Sequence, residues 1–251
     1  MLIQARQGAI LVLTLDYPAR RNALAVEMRR NLVAALEAAE ADQAIRAVVI
    51  TGGGGTFCAG GDISGMDVTD LAAGRERFRL SHALIRTMIK LRMPIVAAVE
   101  GYCVGAGLSL AMACDTIVAA EDAQFVAGFG RVGLMADLGL PHTLPLRVGQ
   151  GRARQILLYG ERMAAPEAER IGLIDRVVPP GQTLEAGLAR ARAFADAAPL
   201  PLALTKQFLS AGLDAALDLE RELQSSLFLT ADHAEGKAAF LGKRAPVFTG
   251  R

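Results

Sequence analysis

The sequence predicts an α/β fold, with repeated strand-then-helix units over residues 1–195 and a helical region over 196–251. Three observations lead there. Short apolar runs at 47–50, 95–99 and 116–119 have strand length and β-branched content, and longer stretches of helical spacing separate them. Hydrophobic residues make up 52% of the chain but aromatics only 5%, with no tryptophan. A core of Ala, Leu, Val and Ile suits buried parallel strands and packed helices. Past Gly149 the strand signals fade and helical patterns take over.

The elements follow in order. Residues 9–15 read as a strand, ended by Asp16-Tyr17-Pro18. A helix is expected over 25–41, where Val26, Leu32, Val33 and Leu36 fall largely on one face and Glu27, Arg30, Asn31 and Glu37 lie elsewhere. The strand at 47–51 runs into Gly52-Gly53-Gly54-Gly55, which no Lys-Ser/Thr pair closes, so it is not a phosphate-cradling loop. A polar, basic helix is expected over 72–91, and Pro94 opens the strand at 95–99. A helix at 108–113 and strands at 116–119 and 123–126 follow. Residues 153–158 and 166–171 read as short helices, and long helical patterns cover 183–197 and the stretch beyond Pro201. There Leu217, Leu223, Leu227 and Phe228 form an apolar stripe too rich for a solvated face. It must pack on the chain's own core, on a partner, or on both.

Charge and cysteine usage exclude several classes. Basic and acidic residues number 27 and 26, for a net charge of +1, so no global field favours nucleic acid or an anionic membrane. Two basic pairs stand out, Arg20-Arg21 and Arg29-Arg30; the second reads as the solvated face of a helix. No apolar run reaches the ~18 residues of a membrane span, and Arg6 and Asp16 interrupt the N-terminus, so no signal peptide is expected. Cys58, Cys103 and Cys114 are odd in number and lack metal-ligand spacing. They read as buried fillers of a reduced, cytoplasmic protein. No dinucleotide fingerprint or metal cluster appears, so neither a redox cofactor nor a metal is expected.

Two glycine-bearing segments carry the chemistry: Phe57-Cys58-Ala59-Gly60-Gly61-Asp62-Ile63 and Glu100-Gly101-Tyr102-Cys103-Val104-Gly105-Ala106-Gly107-Leu108-Ser109. Each follows a buried-strand run, where the backbone turns and small residues leave amide N–H groups uncovered. Two such loops side by side aim two amides at one point, the arrangement that stabilises a developing oxyanion. The second runs into a helix, which places its amides at the positive end of a helix dipole.

Pro18-Ala19-Arg20-Arg21-Asn22-Ala23-Leu24, the two glycine loops, Ala113-Cys114-Asp115, Gly133-Leu134-Met135-Ala136-Asp137 and Ala168-Glu169-Arg170-Ile171-Gly172-Leu173-Ile174 occur in one order. That series resembles the crotonase superfamily, the enoyl-CoA hydratases and isomerases, from about Leu11 to Phe248. The resemblance implies a spiral of ββα units in two roughly perpendicular sheets. It also implies a C-terminal helical trimerisation region, in a homotrimer or a hexamer of paired trimers. The substrate implied is an acyl-CoA thioester, with CoA belonging to the substrate and no separate cofactor. Oxyanion donors fall on the N–H groups of Gly61 and Ala106, the latter being glycine in many members. CoA contacts fall on Arg21, Ala23, Leu24, Ala59, Gly60, Asp62, Ile63, Tyr102, Gly105 and Phe129. Phe240 and Lys243 match a segment that reaches CoA bound to a neighbouring subunit. Asp62 is expected to brace its loop and Asp115 to be structural.

The acid/base groups depart from the hydratase pattern. The two glutamates with which hydratases add water match Ser109 and Phe129 here, and neither moves a proton unaided. One carboxylate remains in that region, Asp137, among the apolar residues Leu134, Met135, Leu138 and Leu140. It resembles an aspartate used by dienoyl-CoA isomerases and by the ring-opening epoxide isomerase of phenylacetyl-CoA degradation. Desolvation there would raise its pKa toward neutrality. His82 and His233 are expected at the surface and His142 in a structural role. The resemblance therefore implies an enoyl-CoA isomerase. A hydratase with an unrecognised base, and a silent or RNA-binding member of the same fold, stay open, although near-neutral charge argues against RNA.

Overall fold

The apolar run at residues 47–50 becomes strand β3 (Ala47–Gly52), and its side chains explain the layers around it. Val48 and Ile50 point into the main core, whereas Ala47 and Val49 belong to a second cluster on the opposite face. A sheet buried on both faces needs apolar residues at consecutive positions, as these strands have. The computed structural model describes residues 1–251.

The main sheet has six strands in the order β1-β2-β3-β4-β6-β9. They are β1 (Leu2–Gln7), β2 (Ile10–Leu15), β3, β4 (Ile95–Val99), β6 (Thr116–Ala120) and β9 (Arg176–Val178). All neighbours pair parallel except β1, which folds back on β2 as an antiparallel hairpin. A smaller sheet joins β5 (Tyr102–Val104), β7 (Gln124–Val126) and β8 (Arg162–Ala164). The alternation of strands and helices gives the expected α/β spiral.

Helices α1 (Val26–Ala41) and α2 (Leu71–Lys90) cover one side, close to the sequence expectation. The short α3 (Ala106–Met112) is wholly buried beneath the second glycine loop. Helix α4 (Leu140–Tyr159) is longer than expected. Pro145 masks its first half, and Gly149, at φ 75°, kinks it. After α5 (Ala165–Arg170), helix α6 (Thr183–Asp196) lays Leu188 and Ala191 on the second face of the sheet. Helices α7 (Pro199–Leu209), α8 (Leu213–Leu227) and α9 (Ala231–Leu241) complete the chain. No helix is long and apolar enough to cross a membrane.

The tail helices return to the body of the molecule. On α8, Leu213 and Leu217 belong to the main core, while Leu223 is half-exposed. Helix α9 lies against the 3-10 turn Phe129–Val132 so closely that a Cβ on Gly236 would fall 2.5 Å from the Val132 carbonyl carbon. Only glycine fits there.

Two expectations about polar residues are corrected. His82 and His233 are buried rather than at the surface. The His82 ring donates to Glu220 across 2.7 Å, and Nδ1 of His233 donates to the Val132 carbonyl at 2.8 Å. Arg29 is likewise only 7% exposed, not on a solvated face. On α1 it follows Met28 and shares the buried face with Leu32 and Leu36, where it meets α2.

Candidate active site

The two glycine loops are zipped together by their own backbones. Cys58 N–H donates to the Tyr102 carbonyl (2.9 Å), and Val104 N–H donates to the Cys58 carbonyl (3.0 Å). Gly107 permits the closest approach, since a Cβ there would lie 2.5 Å from the Cys58 oxygen. Segment 21–24 forms a third rail: Ala59 N–H donates to Arg21 and Leu24 N–H to Gly60. Asn22, in the left-handed region at φ 59°, holds this rail to the glycine run. Its side chain donates to the carbonyls of Gly53 and Thr56 and accepts from Tyr17 N–H.

This construction leaves two amides without backbone acceptors. No backbone hydrogen bond outside the regular elements uses the N–H of Gly61 or Ala106. Ala106 is the first residue of α3, where an N–H has no intrahelical partner. Gly105, at φ 52°, makes the turn that precedes it. Both Gly61 and Ala106 line a cavity of about 190 Å³.

Asp137 enters the same cavity from the segment between the 3-10 turn and α4. As a residue it keeps some solvent contact, but its carboxylate Oδ1 is enclosed and has no hydrogen-bond partner. Burial raises its pKa from 3.8 to about 7, and the charge of Glu220 adds to the rise. Arg29, a long hydrogen bond from Gln224 (3.4 Å) and Arg77 pull the other way. Asp137 is the only carboxylate among the lining residues.

Helix α8 holds this loop in place. Glu220 accepts from the N–H groups of Leu138 (2.7 Å) and Gly139 (2.8 Å), the two residues after Asp137. Gln224, one helical turn on, brackets Met135 by accepting from its N–H (3.1 Å) and donating to its carbonyl (2.8 Å). Leu138 is a non-glycine residue at φ 54°, a conformation costing ~1–2 kcal/mol that Glu220 offsets. From the other side, Ser109 Oγ donates to the Asp137 carbonyl (2.8 Å). Ser109 is thus a brace for the loop, and Phe129 is an apolar wall of the cavity.

The family model described as enoyl-CoA hydratase/isomerase matches residues 5–251. The chain belongs to that family. It is 41% identical to the 2,3-dehydroadipyl-CoA hydratase of Escherichia coli (strain K12), covering 100% of this chain and 99% of that protein. It is 37% identical to the 1,2-epoxyphenylacetyl-CoA isomerase of the same strain, over 98% of this chain and 97% of that one. Among solved structures, an enoyl-CoA hydratase from Mycobacterium avium subsp. paratuberculosis K-10 superimposes with a TM-score of 0.88 at 32% identity. That match covers 99% of this chain and 98% of the other.

Most candidate residues of this enoyl-CoA hydratase/isomerase family member converge on the cavity. Gly61, Ala106 and Asp137 line it, with Ala59, Gly60, Ile63, Gly105, Phe129 and Phe240. Arg21, Ala23, Leu24, Asp62, Tyr102 and Lys243 do not. Ala23 and Leu24 are buried behind the first loop, and Asp62 accepts from Ser64 N–H and Oγ. Tyr102 lies under the Arg162 guanidinium, 5.8 Å from its ring centroid. Lys243 is exposed beyond α9.

Phe240 closes the rim of this chain's own cavity, because α9 folds back onto the 3-10 turn. Sequence reasoning missed Arg29, Arg77, Ser81, Glu220 and Gln224. The one available signal was the 213, 217, 220, 224 spacing on α8, which continues an apolar face with two polar residues. The cysteines are free and buried; burial pushes the Cys58 thiol up to about 11, which keeps it from acting as a nucleophile.

Proposed function

We propose that this protein shifts a double bond within an acyl-CoA thioester, with Asp137 as the proton carrier. The thioester oxygen accepts from the N–H groups of Gly61 and Ala106. Asp137 takes a proton from C2 of a 3-enoyl-CoA, and the C–H electrons pass into the thioester as a dienolate. The same carboxyl returns the proton at C4, leaving the double bond between C2 and C3. The observation that supports this best is that Asp137 is the only carboxylate lining the cavity. Hydration needs a base for water and an acid for carbon, whereas a proton shift needs one group that does both. A pKa near 7 keeps both protonation states populated at neutral pH.

Leu158, Tyr159, Leu200, Leu204 and Phe208 are large apolar side chains left exposed on the single chain. A homotrimer, alone or paired into a hexamer, is the assembly we propose to cover them.

The test is a paired assay on 3-hexenoyl-CoA and crotonyl-CoA. Wild-type protein should isomerise the first and hydrate the second slowly or not at all. Asp137→Asn should lower the isomerisation rate by ~10²–10⁴-fold. Brisk hydration of crotonyl-CoA by the wild type would assign the chain to the hydratases instead.

A further inference from the structure

Two arginines on the cavity wall carry no proton in that mechanism, although both hold the Asp137 pKa down. Arg29 of α1 and Arg77 of α2 both line the cavity beside Asp137. They also line a second hollow of about 420 Å³ between α1 and α2, so they form the partition between the two spaces. Arg29 is almost fully buried. Its Nη1 donates to Ser81 Oγ (2.5 Å), but its Nε is enclosed without any partner. Arg77 Nη1 donates only to the Gly65 carbonyl (3.0 Å). No carboxylate lies within 4.0 Å of either guanidinium.

Buried cations are ordinarily paired. Here burial, with the charge of Arg77 adding to it, pulls the Arg29 pKa down to about 10. The nearby acids compensate only in part: the charges of Asp137 and Asp62 favour the charged form of both guanidinium groups, yet neither carboxylate is in contact with them, and Asp67 is paired with Lys237 (2.6 Å). A third arginine, Arg131, adds to the positive lining. The partition therefore has no carboxylate paired with either guanidinium, although Glu37 and Glu76 line the second hollow, Glu76 in a pair with Arg79.

The position says which anion would pair with the two guanidinium groups. A Cβ placed on Gly61 would lie 3.9 Å from Arg29 Nη2, so this guanidinium stands beside the oxyanion loop. The pantetheine arm separates the phosphates of CoA from the thioester, so with the carbonyl in that loop the acyl chain is the nearer part of the substrate. We propose that Arg29 and Arg77 form an anion subsite for the acyl group, and that the preferred substrate carries a second carboxylate on its acyl chain. The proposal rests on reading the cavity as the acyl site. It names the substrate class: acyl-CoA thioesters of dicarboxylic acids.

Calorimetric titration with saturated thioesters tests it without any proton transfer. Succinyl-, glutaryl- and adipyl-CoA are compared with butyryl-, pentanoyl- and hexanoyl-CoA, each pair matched in length, and with free CoA. In the wild type at least one diacid should bind about 10–100-fold more tightly than its neutral partner, the usual worth of a charge-assisted bond. Arg29→Met and Arg77→Met should erase that difference while neutral acyl-CoAs bind as before. Arg29→Lys should restore part of it. Asp137→Asn should keep it, even if the isomerase reading fails. Arg77 is only half-buried, so Arg77→Met carries the test if Arg29→Met does not fold. Equal affinities across all three wild-type pairs would overturn the proposal. So would an equal loss for every ligand including free CoA, which would place the phosphates on these arginines.

Discussion

Replacing Asp137 with asparagine should make the protein more stable as well as inactive, and the gain should depend on pH in a defined direction. The folded state raises the Asp137 pKa from 3.8 to about 7, chiefly by burial. Folded protein therefore binds this proton more tightly than the unfolded chain does. Stability from the group is complete below about pH 4 and is lost as pH rises to about 7. Asparagine stays neutral throughout. The stability difference between variant and wild type should be near zero at pH 4 and reach its maximum above pH 7. About three pH units at ~1.4 kcal/mol each set an upper limit of about 4 kcal/mol. The residue keeps some solvent contact, so a gain of about 1–3 kcal/mol is expected at pH 8. For a chain of this length that raises Tm by roughly 2–10 °C. Thermal melts of both proteins at one protein concentration, from pH 4 to pH 8, read it directly. A Tm difference that is the same at every pH would refute the reasoning, as would an asparagine variant less stable than wild type at pH 8.

Three further outcomes follow from the same geometry. Ala106→Pro removes one oxyanion N–H at the first position of a helix, where proline is tolerated; kcat should fall by ~10²–10³-fold with the circular dichroism spectrum unchanged. Glu220→Gln removes a charge that raises the Asp137 pKa and weakens the grip on Leu138 and Gly139. The acid limb of kcat/KM should move to lower pH and stability should fall by ~1–3 kcal/mol, and an unmoved limb would contradict the coupling. Light scattering should give a mass at least three times the 26.4 kDa of the chain, and a monomer would contradict the proposed assembly.

Much of the fold was legible because its strands are continuous apolar runs bounded by glycine, proline or aspartate. The expected ranges for β2, β3, β4, β6 and β7 lie within two residues of those found. Strands β5, β8 and β9, three residues each, were not expected, and neither was β1, an edge strand whose side chains are mostly exposed. The first half of α4 was hidden by Pro145, which sequence rules treat as a helix breaker, whereas Pro141 sits in the first turn, where proline is tolerated. Among the site residues, Asp137 and the two glycine loops could be found because local motifs carry them. Glu220 and Gln224 could not, since their meaning is a contact across more than eighty residues. Arg29 misled for a different reason. One of two adjacent arginines on an amphipathic helix reads as solvated unless the facing helix supplies a partner, and here Ser81 does.

The central claim, one carboxyl carrying one proton between two carbons, is tested most directly by following an isotope. A 3-enoyl-CoA deuterated at C2 is converted in ordinary water, and the 2-enoyl-CoA product is analysed by mass spectrometry for deuterium at C4. Because Asp137 Oδ1 is enclosed, part of the label should return to the substrate before it exchanges with solvent. A measurable share of C4 should then carry the deuterium removed from C2. Product with only solvent hydrogen at C4, formed alongside 3-hydroxyacyl-CoA, would contradict the account and point to addition and loss of water.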